Sequence, residues 1–583
     1  MEPIVSSTLP QDSTQLDTTQ LDADLQLLHE KRLEWATLEL PKKIKLLEEL
    51  LERIGARAEA QATDAIKAKG IAPSSHQRGE EWLGGPMAQA RVTRQLIEAL
   101  KSLHERGHTG VTDKHATRRP NGQLAVKVFP NNLIDQLSFA GFTAEVWLQA
   151  DASRDDWAQR TGSFYREGGA DEGALALVLG AGNVASIGLL DALHKLFVEG
   201  RVCFLKFNPV NDYLAPHYEY ICAPLIERGY MRMCKGGAPE GIYLCQHELV
   251  EEIHITGSDK THDAIIYGVG EEGARRKEAD EPVCHKEISS ELGNVSPVII
   301  TPGVWTDKEL RFHAENVATQ MTNNGGFNCN AARVIITHRG WPQREAFLQA
   351  LREILAQVPQ RPAYYPGAHE RFERFINSEE GAERIDGVTQ ADLPSGSAQP
   401  LPWGLITGVD PEGEHICFTQ ESFCGLAAET SLEAEDASAF LKRATEFANE
   451  RLWGSLNACV IIDPKTAKRH SQALEQAIEG LRYGSVCVNH WPALSYGMGV
   501  TAWGAYPGHT RQDIQSGVGF VHNTYLLEGV EKTVIRGPFT VSPKPLWFVT
   551  HRRSEVTAKA LTKMEQKPSL LKFPKVLLGA LRP

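Results

Sequence analysis

The stretch NNGGFNCNAARVII, Asn323 to Ile336, sets one cysteine, Cys329, among glycines and asparagines at the start of an apolar run. A structural cysteine behaves as a small hydrophobe and normally sits among Leu, Val or Ile. Cys329 has Asn328 and Asn330 as neighbours instead, and Gly325 and Gly326 let the backbone come close to whatever the sulfur touches. These residues leave two readings open: a thiol in an ordinary tight turn, or a nucleophile held out for a substrate. A second stretch, GAGNVA from Gly180 to Ala185, has the glycine spacing of a phosphate-cradling loop. Such a loop wants Asp or Glu at the end of the next strand to accept from ribose hydroxyls. Here that strand reads VCFLKFNP and offers Lys206 and Asn208, and a lysine can donate to a hydroxyl or phosphate but cannot accept. The fingerprint is incomplete.

Two other matches carry less. HERGH, His104 to His108, has the spacing of a two-histidine zinc helix, but Gly107 lies inside it and the helix is expected to end there, so no metal site is assigned. GVGEEG, Gly268 to Gly273, is followed by the charged run ARRKEADEP rather than an apolar helix, and is expected to be a surface loop.

The elements that must position these residues alternate. Residues 24 to 69 have helical periodicity, with Pro41 at a helix start, and Met87 to Leu103 forms a further helix. Short apolar segments at 174 to 180, 202 to 207 and 251 to 258 then read as strands separated by helices. A second block of the same kind has strands at 295 to 300, 332 to 337, 458 to 463 and 485 to 489. This is the pattern of parallel sheets built from βαβ units. Residues 1 to about 22 are Ser, Thr, Gln and Asp rich and are expected to be disordered. Between His551 and Pro583 eight Lys or Arg face two Glu, with apolar groups interleaved. That tail reads as an arm docked on the body or on a second subunit, with peripheral contact to a membrane surface as the alternative.

A chain of 583 residues exceeds one core, so at least two domains are expected. A net charge of −13 gives no electrostatic case for nucleic acid. Ten cysteines without a C-x-x-C pair read as reduced thiols in a cytoplasmic protein. No secretory leader and no apolar run of spanning length is apparent in the sequence.

Read in order, GAGN, FLKFNP, HITGS, SSELGNVSP, NNGGFNCNAARV and ESFCGL resemble the NAD(P)-dependent aldehyde dehydrogenase superfamily over most of residues 26 to 525. Asn183 and Lys206 lie 23 residues apart and Glu291 precedes Cys329 by 38, close to that family's spacing. The resemblance implies Cys329 as nucleophile, Asn183 as oxyanion donor and Glu291 as general base. It places Lys206 and Asn208 near the ribose, Gly257 and Ser258 along the adenine and pyrophosphate side, and Glu421 at the nicotinamide ribose with Phe423 packing nearby. Taken on its own residues, Asn183 also fits a turn, Lys206 a solvated strand end, and Glu291 the first turn of a helix. Cys284, Cys417 and Cys424 are read as structural.

Departures accompany the likeness. The family's P-W-N is A-G-N here, so the aromatic wall of a substrate tunnel is absent or supplied elsewhere. K-F-N-P replaces K-P-S-E, which removes a glutamate that favours NAD and keeps NADP equally in play. His262 stands where a glycine is usual, and Cys424 is inserted before Gly425 in the E-x-F-G signature. AGNVAS with LKFNP also resembles the acyl-CoA reductase branch, in which the same cysteine thioester is reduced.

The expected fold is thus α/β and aldehyde-dehydrogenase-like: two doubly wound domains, one Rossmann-like for the cofactor, with a C-terminal extension. The expected division is a cofactor domain over 23 to 290, a catalytic domain over 291 to 501, a return or oligomerisation segment over 502 to 550 and the tail over 551 to 583. The expected activity is oxidation of a small-molecule aldehyde with NAD or NADP in a homodimer or homotetramer. Acyl-CoA reduction, a catalytically silent scaffold of the same fold and hydride transfer without covalent catalysis are the alternatives.

Overall fold

The computed structural model describes residues 16 to 166 and 173 to 581. Most of the N-terminal stretch expected to be disordered lies outside these residues; its end is ordered, because a helix starts at Thr19 (Thr19–Ala36) and buries Leu21, Leu25 and Leu28. A second helix, Leu40–Ala68, carries Pro41 in its first turn, where the missing N–H costs nothing.

Two sheets organise the chain. The smaller runs in the order Gly517–Val518, Glu287–Glu291, Glu252–Thr256, Leu175–Leu179, Val202–Lys206, Met231–Cys234. All its pairings are parallel except the first, which is antiparallel. From Leu175–Leu179 the chain builds outward to one side and then returns to build on the other. The order therefore reverses between Leu175–Leu179 and Glu252–Thr256, where open α/β sheets leave a crevice at the carboxyl ends of their strands. The three central strands, Glu252–Thr256, Leu175–Leu179 and Val202–Lys206, are buried over nearly their whole length, as parallel strands covered on both faces must be.

The larger sheet has eleven strands. Its parallel centre is Ser485–Val488, Asn457–Ile461, Ser296–Ile300, Ala332–His338, Leu426–Leu432 and Trp403–Val409. Val530–Arg536 extends it in parallel, and Thr143–Leu148, Leu124–Phe129 and Ala116–Arg118 continue it antiparallel. Glu383–Ile385 closes the other edge.

This assignment corrects the linear division. Strands between 116 and 148 lie in the larger sheet although they precede residue 290, and the 502 to 550 segment is split, Gly517–Val518 joining the smaller sheet and Val530–Arg536 the larger. Pairing between distant segments is set by tertiary packing, which no local pattern announces. GVGEEG is corrected as well: Gly270–Ala279 is a helix held by its own charges, with Arg275 and Arg276 each 3.0 Å from Glu272. At HERGH the helix Ala88–Arg106 does end at Gly107, which takes the left-handed conformation.

Candidate active site

Asn183, Glu291 and Cys329 come together although they belong to three separate elements. Asn183 lies in the loop after Leu175–Leu179, and Glu291 is the last residue of Glu287–Glu291, abreast of Thr256. Glu291 is thus a strand end rather than the first turn of a helix. Cys329 sits between the turn Asn323–Gly326 and the strand Ala332–His338. That turn needs left-handed backbone at Asn324, Gly325 and Gly326. At Gly326 a side chain is impossible, because a Cβ would stand 2.3 Å from the Gly425 backbone nitrogen. The nucleophile loop and the ESFCG loop therefore touch backbone to backbone, and Arg333 pins the contact by donating to the carbonyls of Cys424 (2.5 Å), Gly326 (2.8 Å) and Asn328 (3.1 Å).

The Cys329 Sγ donates to Glu291 Oε1 at 3.0 Å. Burial pushes the Glu291 carboxyl up to about 7, and the S–H it accepts pulls the other way. Burial, and then the neighbouring Glu291 charge, hold the Cys329 thiol well above its ordinary range. Among the described residues Glu291 Oε2 has no hydrogen-bond partner, which leaves it able to accept from a water molecule.

Asn183 is fixed from both sides. Its Nδ2 donates to the Phe327 carbonyl at 2.9 Å, which leaves the second amide hydrogen available. Its backbone carbonyl accepts from Lys69 Nζ (2.8 Å), Asn324 Nδ2 (3.0 Å) and the Tyr364 hydroxyl (3.1 Å). Lys69 is buried, and Glu81 at 2.9 Å compensates its charge. The sequence assigns no role to Lys69, Asn324, Tyr364 or Arg333; only Asn324 and Arg333, inside the cysteine motif, carry a signal.

Two cavities meet at these three residues. One, of about 650 Å³, is lined by the loops at the sheet's reversal: Gly182 and Asn208 from one side, Gly257 to Thr261 from the other. Ser258 caps the helix Asp259–Tyr267 through its Oγ, so that helix presents its N-terminus to the cavity. Glu421, Phe423, Arg371 and Arg374 complete the lining. Burial raises Glu421 to about 7. Lys206 does not line this cavity: its ammonium donates to the Gly236 carbonyl at 2.7 Å. The second cavity, about 360 Å³, is bounded by Trp491, Tyr496 and Trp503 near the cysteine. These supply the aromatic wall that A-G-N lacks. Among the described residues no group of His, Cys, Asp or Glu could hold a metal ion.

Cys417 and Cys424 are buried in the core of the larger sheet; Cys284 is half-buried and packs against the core of the smaller one.

No family model and no curated protein sequence matches the chain. Solved structures do. The chain is similar to glyceraldehyde-3-phosphate dehydrogenase from Methanocaldococcus jannaschii complexed with NADP, at 14% identity and a TM-score of 0.58, covering 89% of this chain and 94% of that one. Gamma-glutamyl-gamma-aminobutyraldehyde dehydrogenase from Burkholderia cenocepacia gives 17%, 0.59, 88% and 88%. A betaine aldehyde dehydrogenase variant from Staphylococcus aureus in complex with NAD+ gives 15%, 0.57, 88% and 89%. At these identities the likeness is one of fold, and the fold is that of the aldehyde dehydrogenases.

If Asn183 is the oxyanion donor that the family resemblance implies, Asn183→Ala is expected to lower kcat by about 10²–10³-fold. The lost bond to Phe327 costs about 1 kcal/mol of stability, so the melting temperature moves little. A kcat within threefold of the parent would remove Asn183 from the chemistry.

Proposed function

We propose that the protein oxidises an aldehyde to a carboxylic acid with NAD or NADP, through a covalent thioester on Cys329. The observation that carries this reading is the meeting of a thiol, a carboxyl of raised pKa and a side-chain amide where a polar cavity joins an apolar one.

The polar cavity suits a dinucleotide. A helix N-terminus opens to it, and Arg371 Nε and Nη2 and Glu421 Oε1, all buried, have no hydrogen-bond partners among the described residues, Glu421 Oε1 having only the Arg333 guanidinium at 3.7 Å. Phosphate and ribose hydroxyl groups are the chemistry such donors and acceptors take. Gly257 and Ser258 would take the pyrophosphate side, Asn208 the adenosine side, and Glu421 with Phe423 the nicotinamide side. When bound, the cofactor supplies the hydride acceptor.

Glu291 takes the thiol proton across the 3.0 Å contact. The thiolate adds to the aldehyde carbon, forming a C–S bond while the carbonyl oxygen becomes an oxyanion. The second Asn183 amide hydrogen and the Cys329 backbone N–H donate to that oxygen. After oxidation the carbon is a thioester. Once Glu291 has passed the thiol proton to solvent, it removes a proton from water, the water oxygen attacks the thioester carbon, and the C–S bond breaks to release the acid and a thiolate, which takes the proton back from Glu291.

The test follows reduced nicotinamide spectroscopically with an aldehyde series plus NAD or NADP, beside acyl-CoA plus NADH or NADPH. Formation with aldehyde that requires Cys329 supports the reading. Consumption with acyl-CoA alone would replace it with acyl-CoA reduction, and silence throughout would favour a scaffold. Lys206 would reach a ribose only by giving up the Gly236 carbonyl. Lys206→Met is expected to raise the cofactor KM about tenfold, the loss of one charged hydrogen bond; an unchanged KM would leave the lysine a structural strand end.

A further inference from the structure

The apolar cavity runs from Cys329 away from the cofactor side, and its outer wall is the end of the chain. Pro543, Leu546 and Trp547 form one side. Leu561 of the helix Ser554–Gln566, with Val576 and Leu577 of the helix Phe573–Ala580, forms another. This tail is built in rather than laid on. Glu565 is buried between Arg91 and Arg94, each at 2.6 Å, and Arg91 also holds Asp135 at 2.9 Å. Arg78 pairs with Glu555 at 3.0 Å. Two close approaches fix the helices: a Cβ on Gly79 would meet Ser554 at 2.4 Å, and one on Gly579 would meet Thr557 at the same distance. Removing one member of a buried charge cluster leaves uncompensated charge, so the arginine pair commits the tail to this position.

Apart from Glu291 beside the cysteine, the charged groups on the cavity wall are paired. Lys69 pairs with Glu81 at 2.9 Å, Lys544 with Glu315 at 2.7 Å, and Glu80 with Arg361 at 2.5 Å. Among the described residues lining the cavity, no lysine is left to receive a carboxylate or phosphate. The remaining surface is mostly aromatic and aliphatic, with neutral polar groups such as Asn328, Asn330 and Ser542 among them.

We propose that the substrate is an aldehyde on a long uncharged aliphatic chain, whose chain lies in this cavity against the C-terminal tail, so that residues 541 to 580 set the chain-length preference. This rests on the function proposed above. The first arm measures kcat/KM of the full chain for straight aldehydes from propanal to dodecanal, and for an aldehyde of matched length ending in carboxylate. The value is expected to climb about fourfold per methylene until the cavity is filled, the effect of burying one CH₂, and to fall at least tenfold for the carboxylate. Val576→Trp fills the cavity and is expected to move the optimum to shorter chains. Leu571→Asp, 94% exposed and off the wall, is expected to keep the parent profile. Thermal melting of each variant separates misfolding from altered selectivity.

A second arm needs no turnover. Trp491, Trp503 and Trp547 line the cavity, so titration with 1-dodecanol is expected to change tryptophan emission, with affinity at least tenfold weaker in Leu577→Asp. A flat chain-length profile, a preference for the carboxylate, or dodecanol binding indifferent to Leu577 and Val576 would overturn the proposal. Dodecanol binding with no aldehyde turned over would instead sink the dehydrogenase reading and leave the aliphatic site standing.

Discussion

With Cys329 replaced by serine, aldehyde-dependent formation of reduced nicotinamide is expected to fall on the order of 10⁴-fold or more, with cofactor affinity at the parent value. The sulfur lies 3.0 Å from Glu291 Oε1, and a hydroxyl fits the same space and donates to the same carboxyl, so the site should keep its shape. What serine lacks is an ionisable proton within reach of that base. Burial already holds the thiol far above its usual range, and a hydroxyl starts several units higher still. Stopped-flow and steady-state rates with the variant's melting temperature check this. A residual rate within tenfold of the parent would mean that hydride leaves without a covalent intermediate.

Glu291→Gln separates the two halves of the reaction. A first turnover, one equivalent of reduced cofactor per site, is expected to persist with an external base. Steady-state turnover is expected to fall by roughly 10²–10⁴-fold, the usual contribution of a general base. The parent's pH profile should carry the same group. On the proposed mechanism Glu291 works as carboxylate, and burial raises its pKa to about 7, so kcat should rise about tenfold per pH unit below 7 and level off above it. The stability effect has the opposite sign. A carboxyl raised in the folded state favours the protonated fold, so its contribution is complete below the ordinary value of 4.5 and is lost as pH rises through about 7. Glu291→Gln should therefore flatten both the activity limb and that part of the melting profile. A parent kcat that is flat from pH 5 to 8 would assign the base elsewhere.

Much of the site was readable from residue type alone. Cys329 stood out because its neighbours were polar, and Gly326 because so close a turn needs glycine; the structure gives both a reason in the backbone contact with Gly425. Gly257 and Ser258 came from the family resemblance rather than from residue type, and they line the cavity, where Ser258 caps a helix. Lys206 was read towards the same cavity, but a lysine's four-carbon stem lets its ammonium turn to whichever carbonyl is near, here Gly236. GVGEEG was taken for a loop because its helix is polar, yet such a helix can stand on charge pairs with little apolar face.

The sequence by itself determined the alternation of strands and helices, the strands that flank the Asn183 and Cys329 loops, and the thiol, carboxyl and amide of the candidate site. These are short-range properties of periodicity, turns and side-chain chemistry. Only the tertiary structure decided which sheet the strands of 116 to 148 and 530 to 536 would join, brought Lys69 under Asn183, supplied Trp491 and Trp503 as the missing aromatic wall, and set the chain's end beside a cavity that starts at Cys329. Each of those joins segments well apart in sequence, fixed by burial and charge matching that exist only once the core has closed.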